Sequence, residues 1–175
     1  VFNTNAVLKK LGIKVLPFDK KNITKRVDLV VRSSAYGNKH AEIIAARRLH
    51  IPVVDYIDAV AEIFNKKRGI LVTGTHGKTS TTAMIGLLLE HAGLDPTVFV
   101  GAVVRAWGKN ARAGNGEWMV AEGDEYQNKF LKLRPEVAVV TSIEYDHPDF
   151  FKTRKQYEDV FRKFVSELPP GGLLI

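Results

Sequence analysis

Residues 69–82, GILVTGTHGKTSTT, carry the strongest local pattern in the sequence. The apolar run that ends at Thr73 predicts a buried β-strand, and residues 79–92 predict a long helix. Gly74 and Gly77 lie between them, where glycine lets the backbone bend and approach an anion closely. A strand, a glycine-rich turn and a helix in this order predict a phosphate-binding loop in a parallel α/β domain.

This phosphate loop supplies the candidate nucleotide-binding residues. Its backbone N–H groups would face the phosphates, Lys78 would reach the β- and γ-phosphates, and the Thr79 hydroxyl would bind Mg²⁺. Val72 stands where the general pattern has glycine, so the loop is a variant form. The combination of strand, two glycines, Lys-Thr and long helix disfavours an ordinary strand–helix turn with a surface lysine. We therefore expect ATP and Mg²⁺ as cofactors, bound by Gly74, Thr75, His76, Gly77, Lys78, Thr79 and Ser80.

Two further polar segments follow apolar strands. Glu122 begins the acidic run EGDE after residues 119–121, and His147 lies in DHPD after the strand predicted at residues 137–140. Ligands of open parallel sheets bind beyond the carboxyl ends of the strands, so these side chains would project from the same edge as the phosphate loop. A carboxylate, an imidazole and phosphate oxygens can share a divalent cation, although histidine is the less usual ligand of Mg²⁺. Taken alone, a glutamate after a strand is more often a solvated loop residue, and DHPD is a turn or helix cap about as often as a site.

The rest of the chain alternates short apolar runs with amphipathic stretches, which is typical of a parallel α/β fold. Further strands are expected at residues 13–16, 28–31, 51–54, 98–100 and 118–121, and helices at 5–11, 40–49, 55–64 and 153–168. Residues 103–117 are rich in Gly and Asn and predict a loop. The polar run NKKRG, residues 65–69, predicts a hinge, so we place a domain boundary between residues 1–66 and 67–175.

Composition limits the classes of function. The 175 residues include no cysteine, which excludes disulfides and thiolate metal sites. No apolar run reaches the roughly 18 residues of a membrane span, and no signal peptide is recognisable, so we expect a cytoplasmic protein without membrane partners. The net charge is +7, but residues 1–70 hold 14 Lys/Arg against 6 Asp/Glu in scattered pairs without interleaved aromatic residues. That pattern favours an anionic small substrate over nucleic acid.

Taken together, these motifs resemble the Mur ligase family. The segments GTHGKTSTT at 74–82, AEGDEY at 121–126 and TSIEYDHPD at 141–149 are similar to the family's central ATPase domain. Residues 28–35 and 40–63 resemble the second half of its uridine-nucleotide-binding domain. The resemblance covers nearly the whole chain and implies a partial Rossmann-like N-terminal domain followed by a P-loop ATPase-like parallel-sheet domain.

The resemblance also implies a reaction and its residues. ATP would phosphorylate the carboxylate of UDP-N-acetylmuramate, and the amino group of L-alanine would attack the acyl phosphate, a step of peptidoglycan precursor synthesis. Lys78 would hold the transferring phosphate and Thr79 one Mg²⁺, whereas Glu122 and His147 would hold a second. The implied catalytic residues are thus Lys78, His76, Glu122 and His147, with His76 near the reacting carboxylate. Ser33 and Ser34 match the loop that lines the nucleotide-sugar site.

The resemblance leaves alternatives open. A recycling ligase that adds a preformed tripeptide to the same acceptor shares these motifs, and a folate-type glutamate ligase fits residues 28–64 less well. The family's N-terminal glycine-rich loop and its third domain have no counterpart in the chain, and GGLLI at the end reads as the start of a strand. We therefore expect a fragment that is inactive alone, and a non-catalytic nucleotide-binding module is the alternative from another class. Gly123 and Pro148 depart from the usual residues of their motifs.

Overall fold

The computed structural model describes residues 4–175 and divides the chain into two compact units, Val1–Ala59 and Val60–Ile175. The division falls inside a helix, and the domain boundary expected after residue 66 stays a prediction. In the described part of the chain, no helix is long and apolar enough to span a membrane.

The first unit contains one pair of parallel strands and short helices. Its elements are α1 (Thr4–Lys10), a 3₁₀ turn (Lys20–Asn22), β1 (Val30–Arg32), α2 (Ala41–Arg48), β2 (Val53–Asp55) and the beginning of α3 (Tyr56–Phe64). Val30 pairs with Val53 and Arg32 with Asp55 in parallel register. His40 caps the N-terminus of helix α2, because its ring nitrogen accepts a hydrogen bond from the N–H of Glu42. The helix buries Ile43 and Ala46.

The strand expected at residues 13–16 is wrong. The segment has no regular structure, and the side chains of Ile13, Val15 and Leu16 are exposed. An apolar run becomes a strand only where a neighbouring strand accepts its hydrogen bonds, and residues 13–16 pair with no strand of the described chain.

The second unit is built on a six-stranded sheet. Its elements are β3 (Arg68–Thr73), α4 (Lys78–His91), β4 (Thr97–Val104), β5 (Lys109–Arg112), β6 (Trp118–Glu122), a 3₁₀ segment (Tyr126–Lys132), β7 (Val137–Val140), α5 (Arg154–Ser166) and β8 (Leu173–Leu174). The strand order is β5-β4-β6-β3-β7-β8, and every neighbouring pair is parallel except β4 with β5. The mixed α/β architecture with a parallel sheet is thus confirmed.

The order of the strands places the polar segments together. β3 is central and buried along nearly its whole length, as expected for a parallel strand covered on both faces. β6 and β7 flank it, with Val72 opposite Glu122 on one side and Thr73 opposite Val140 on the other. The segments after β3, β6 and β7 therefore leave the sheet at the same edge.

Residues 103–117 are not the single loop that the sequence predicts. Val104 still belongs to β4, and β5 pairs antiparallel with it as an edge strand. Arg112 forms ion pairs with Glu90 at 2.9 Å and Asp95 at 2.7 Å, and the Trp107 indole donates a hydrogen bond to Glu90 at 2.6 Å. The polar composition concealed the strand, because long-range contacts and not local apolar periodicity hold it in place.

Candidate functional site at the carboxyl edge of the sheet

The loop between β3 and α4 has a backbone that requires glycine. Gly74 has φ +126° and Gly77 has φ +81°, both in the region that residues with a Cβ rarely adopt. A Cβ at position 74 would lie 2.4 Å from Thr141 Oγ1 and 2.7 Å from the carbonyl oxygen of Ser142. The conformation and the close approach of residues 141–142 therefore both exclude a side chain at position 74.

The segment that follows β7 holds this loop. The N–H of Thr75 donates to the Ser142 carbonyl at 2.9 Å, and the N–H of His76 donates to Ser142 Oγ at 3.2 Å. The Thr141 hydroxyl contacts the carbonyls of Thr73 at 3.1 Å and His76 at 2.5 Å. The backbone N–H groups of Thr75 and His76 are thus already bonded to Ser142. They hold the loop in its conformation.

The N-terminus of α4 offers the remaining donors. The first intrahelical bond runs from the N–H of Thr81 to the carbonyl of Gly77 at 3.0 Å. The N–H groups of Lys78, Thr79 and Ser80 precede it, and the first N–H groups of a helix have no intrahelical acceptor. Together with the helix dipole they form a site suited to a phosphate group.

Lys78 folds back over the loop. Its ammonium donates to the carbonyls of Gly74 and Thr75, the latter at 3.2 Å, and it lies 3.3 Å from Glu125 Oε2. The side chain is 18% exposed, so it is accessible from the solvent side while resting on protein oxygens. A bound anion would compete with these oxygens for the same ammonium.

Thr79 and Glu122, both expected at this edge of the sheet, are in direct contact. The Thr79 hydroxyl lies 3.0 and 3.1 Å from the two carboxylate oxygens of Glu122, so it donates to one of them at a time. Glu122 Oε2 also accepts a bond from the N–H of Gly101 at 2.8 Å. A Cβ at position 101 would come within 2.8 Å of Glu122 Oε2, so the small residue lets β4 approach the carboxylate.

The two predicted histidines lie in different surroundings. His147 has φ +54°, and its Nε2 lies 3.7 Å from Glu125 Oε1 and 3.9 Å from Asp146 Oδ2, beside the ring of Tyr126. His76 is largely exposed, at 72%, and faces Glu144 at 3.8 Å. In the described chain no three acidic or histidine side chains are already arranged around a common metal position.

Ser33 and Ser34 follow β1 in the first unit. Both are exposed, and Ser33 Oγ accepts a bond from the N–H of Ala35 at 3.3 Å. Arg32, one residue earlier, bonds Asp55 at 2.7 Å and Asn38 at 2.8 Å. Their predicted role in substrate binding stays a prediction.

Family models match both parts of the chain. The model described as Mur ligase middle domain matches residues 72–175, and the one described as Mur ligase family, catalytic domain matches residues 2–68. The chain belongs to the Mur ligase family.

Individual Mur ligases resemble almost the whole chain. UDP-N-acetylmuramate–L-alanine ligase of Desulfitobacterium hafniense (strain Y51) is 47% identical over 98% of this chain and 38% of its own length. The crystal structure of UDP-N-acetylmuramate–alanine ligase from Thermotoga maritima has a TM-score of 0.86 at 31% identity, covering 97% of this chain and 39% of that one. The chain thus spans less than half the length of these relatives.

A Mur ligase with a different second substrate in its name is nearly as similar in structure. UDP-N-acetylmuramate:L-alanyl-γ-D-glutamyl-meso-diaminopimelate ligase from Neisseria meningitides has a TM-score of 0.85 at 29% identity, covering 97% of this chain and 58% of that one. Backbone similarity alone therefore does not distinguish the two ligase types.

In this Mur ligase chain Glu125 lies between Lys78 and His147, and it was not among the site residues predicted from the sequence. It is 1% exposed, and its carboxylate contacts Lys78, His147 and the hydroxyl of Tyr157, the last at 3.4 Å. Its Oε2 accepts no hydrogen bond from the described chain. An unsatisfied buried acceptor costs about 1–3 kcal/mol. The only sequence signal was a third acid in EGDE, which a solvated turn explains equally well.

Tyr157 connects the loop to Glu125. Its hydroxyl lies 2.9 Å from Thr75 Oγ1, and Thr75 Oγ1 also lies 2.8 Å from the Glu144 carbonyl. Burial is the main cause that raises the pKa of the Tyr157 phenol to about 12, and the negative charge of Glu125 adds to it. The phenol therefore stays protonated at neutral pH and can donate to Glu125.

Proposed function

We propose that this Mur ligase chain is the nucleotide-binding part of an ATP-dependent enzyme that joins L-alanine to UDP-N-acetylmuramate. The observation that carries the proposal is the α4 N-terminus, with Lys78 over the loop and Thr79 against Glu122. The 47% identity to a ligase named for these two substrates supports the choice of acceptor and amine. The reaction would supply a peptidoglycan precursor.

The ATP phosphates would bind at the first turn of α4. The free N–H groups of Lys78, Thr79 and Ser80 point out of the helix end, and the glycines at 74 and 77 keep the loop backbone close to the anion. Lys78 would exchange its carbonyl partners for phosphate oxygens. In that position the Lys78 ammonium would stabilise the negative charge on the transferred phosphate.

Mg²⁺ fits the oxygen donors at this edge. The Thr79 hydroxyl and the Glu122 carboxylate already lie within 3.0 Å of each other, and Mg²⁺ prefers such hard oxygen ligands. We assign Thr79 as the residue that would hold one Mg²⁺, and Glu122 and His147 as the residues that would hold a second, with His147 the least usual ligand type. When bound, the second cation would neutralise charge where the γ-phosphate and the substrate carboxylate meet.

Two displacements make up the proposed reaction. A carboxylate oxygen of the acceptor attacks the γ-phosphorus of ATP and ADP leaves. The amine nitrogen of L-alanine then attacks the acyl carbon, loses a proton, and phosphate leaves as the amide forms. The exposed His76 imidazole would lie beside the acceptor carboxylate, and Ser33 and Ser34 would contact the nucleotide sugar.

The test is phosphate release by the full-length protein that contains this sequence. ATP, Mg²⁺ and UDP-N-acetylmuramate are mixed with L-alanine or, separately, with L-alanyl-γ-D-glutamyl-meso-diaminopimelate. We expect release with L-alanine that Lys78→Ala lowers by at least roughly 100-fold. Lys66→Ala is the matched control, because Lys66 is 72% exposed and pairs only with Glu62.

The second candidate is the tripeptide ligase, favoured by the TM-score of 0.85 to the Neisseria enzyme. Release only with the tripeptide would select it over the first proposal while keeping the same phosphate site. Release with neither amine would refute the proposed reaction, and Mg²⁺-dependent ATP binding without turnover would then identify a nucleotide-binding module.

A further inference from the structure

Glu125 is the one buried carboxylate among residues 4–175. The buried polar side chains of that range are Thr73, Thr82 and Glu125, and the two threonines donate their hydroxyls to backbone carbonyls. Glu125 instead contacts three side chains from three separate segments. An acid is rarely buried unless it is paired, so its position requires an explanation.

The neighbours of Glu125 are the groups that the proposed reaction uses. The Lys78 ammonium lies 3.3 Å from Oε2 and donates a hydrogen bond to Oε1 at 3.4 Å, and the His147 imidazole lies 3.7 Å from Oε1. Lys78 begins α4 and His147 follows β7, so the carboxylate bridges the two segments beside the phosphate loop. Tyr157 supplies a third contact from α5, at 3.4 Å.

A role limited to stability does not account for this arrangement. Oε2 accepts no hydrogen bond from the described residues although the ammonium is near it, so the carboxylate is not optimally satisfied. Buried ion pairs frequently contribute little net stability compared with uncharged side chains of similar shape. A buried carboxylate beside a histidine does, however, fix the orientation of the imidazole.

We propose that Glu125 is a positioning residue, a buried carboxylate that holds the Lys78 ammonium and the His147 imidazole in fixed places relative to each other. The inference rests on the proposed function, since it assigns Glu125 to the same site. Glu125 touches neither phosphate nor acceptor in this reading and acts through its two neighbours. Because the carboxylate also repels an incoming anion, its contribution is to turnover and not to nucleotide affinity.

The experiment compares Glu125→Gln with the unmodified full-length protein. Gln keeps the shape and an acceptor for Tyr157 but removes the charge. We expect kcat to fall by at least roughly tenfold, since small misplacements of reacting groups have effects of this size or more. The Kd for ATP, measured by calorimetry without acceptor, should stay the same or decrease, because Lys78 is freed for the phosphates.

Two further variants make the test decisive. Glu125→Asp keeps the charge on a shorter side chain, and we expect it to recover part of the kcat lost in Glu125→Gln. Asp124→Asn removes a neighbouring charge that pairs with Lys129 at 3.0 Å and is the matched control, expected to leave both quantities unchanged. Urea unfolding of every variant measures stability separately.

The inference is overturned if kcat of Glu125→Gln stays within twofold, or if kcat, ATP affinity and stability fall in parallel. If Glu125→Gln does not fold, a kcat lowered more than roughly twofold in well-folded Glu125→Asp supports the inference, and a smaller change overturns it. Absence of turnover in the unmodified protein refutes the proposed function instead. In that case a Kd for ATP that rises more than roughly tenfold in Glu125→Gln overturns the inference, because Glu125 would then contribute to ATP affinity, and a Kd that stays below this limit supports it.

Discussion

The turn after β3 and the turn after β1 both place small polar residues between a parallel strand and the N-terminus of a helix. After β3, the loop is bonded to residues 141–144, which are distant in sequence. After β1, Ser33 bonds only within its own turn, to the N–H groups of Ala35 and Tyr36. The first turn is shaped by the tertiary structure and the second by local bonds, so the two should respond differently to substitution.

The largest effect is expected from Gly74→Ala. The substitution combines a strained φ of +126° with a Cβ 2.4 Å from Thr141 Oγ1. We expect the free energy of unfolding to fall by about 4 kcal/mol, with loss of ATP binding. Urea unfolding and calorimetry measure the two effects.

Gly37→Ala, in the turn after β1, is the control. Gly37 has nothing within 4 Å of a Cβ and no left-handed φ, so the same change should be neutral or stabilise by about 0.5 kcal/mol. If both substitutions changed the free energy of unfolding equally, the turn after β3 would not depend on tertiary contacts more than the turn after β1.

The second effect concerns pH and the Tyr157 phenol beside the loop. Its pKa is raised from 10.0 to about 12, so the stability linked to the protonated phenol is complete below pH 10 and is lost as pH rises toward 12. Two pKa units correspond to about 3 kcal/mol. We expect Tyr157→Phe to make the free energy of unfolding less dependent on pH in this range.

Ultraviolet titration of the tyrosines gives an independent measurement. The transition near pH 12 should disappear in Tyr157→Phe and remain in Tyr36→Phe, which alters the first unit instead. Tyr56 and Tyr126 also have raised pKa values, from burial and from the hydrogen bond to Asp149 respectively, so the amplitude near pH 12 is what decides. An amplitude that is unchanged in Tyr157→Phe would show that Tyr157 does not carry the pKa of about 12.

Thr141→Val should have a smaller effect. The substitution removes the hydroxyl that contacts the Thr73 and His76 carbonyls. We therefore expect the free energy of unfolding to fall by about 1 kcal/mol and the affinity for ATP to weaken roughly fivefold. Thr97→Val removes a comparable bond to Gly114 away from the loop and should leave ATP affinity unchanged. If both variants bind ATP equally well, the segment after β7 does not support the loop.

The smallest effect on stability is expected at the turn after β1. Ser33→Ala and Ser34→Ala alter exposed side chains, so the free energy of unfolding should change by less than about 0.5 kcal/mol. If they contact the nucleotide sugar, KM for UDP-N-acetylmuramate should rise roughly fivefold with kcat unchanged. An unchanged KM in both variants would remove these serines from the substrate site.

Local patterns predicted the elements that carry strong periodicity or glycine. The strand at 137–140 is found as predicted, and the helix from 153 begins with Thr153 as its cap. The phosphate loop was predicted because Gly74 and Gly77 are needed for a backbone conformation that few other residues adopt. By contrast, the strand expected at 13–16 is absent and β5 was missed, because strand formation depends on a partner elsewhere in the chain.

The sequence by itself predicts the α/β class, a phosphate-binding loop and the resemblance to Mur ligases, because strand, glycines and helix are encoded by adjacent residues. The position of Thr79 and Glu122 at one sheet edge was expected from parallel strands, whereas their direct contact appears only in the structure. The burial of Glu125 and its place between Lys78 and His147 were not predictable. The burial and contacts of Glu125 depend on how three segments distant in sequence pack around its carboxylate. Only the tertiary structure decides this packing, because no single segment can bury the carboxylate by itself.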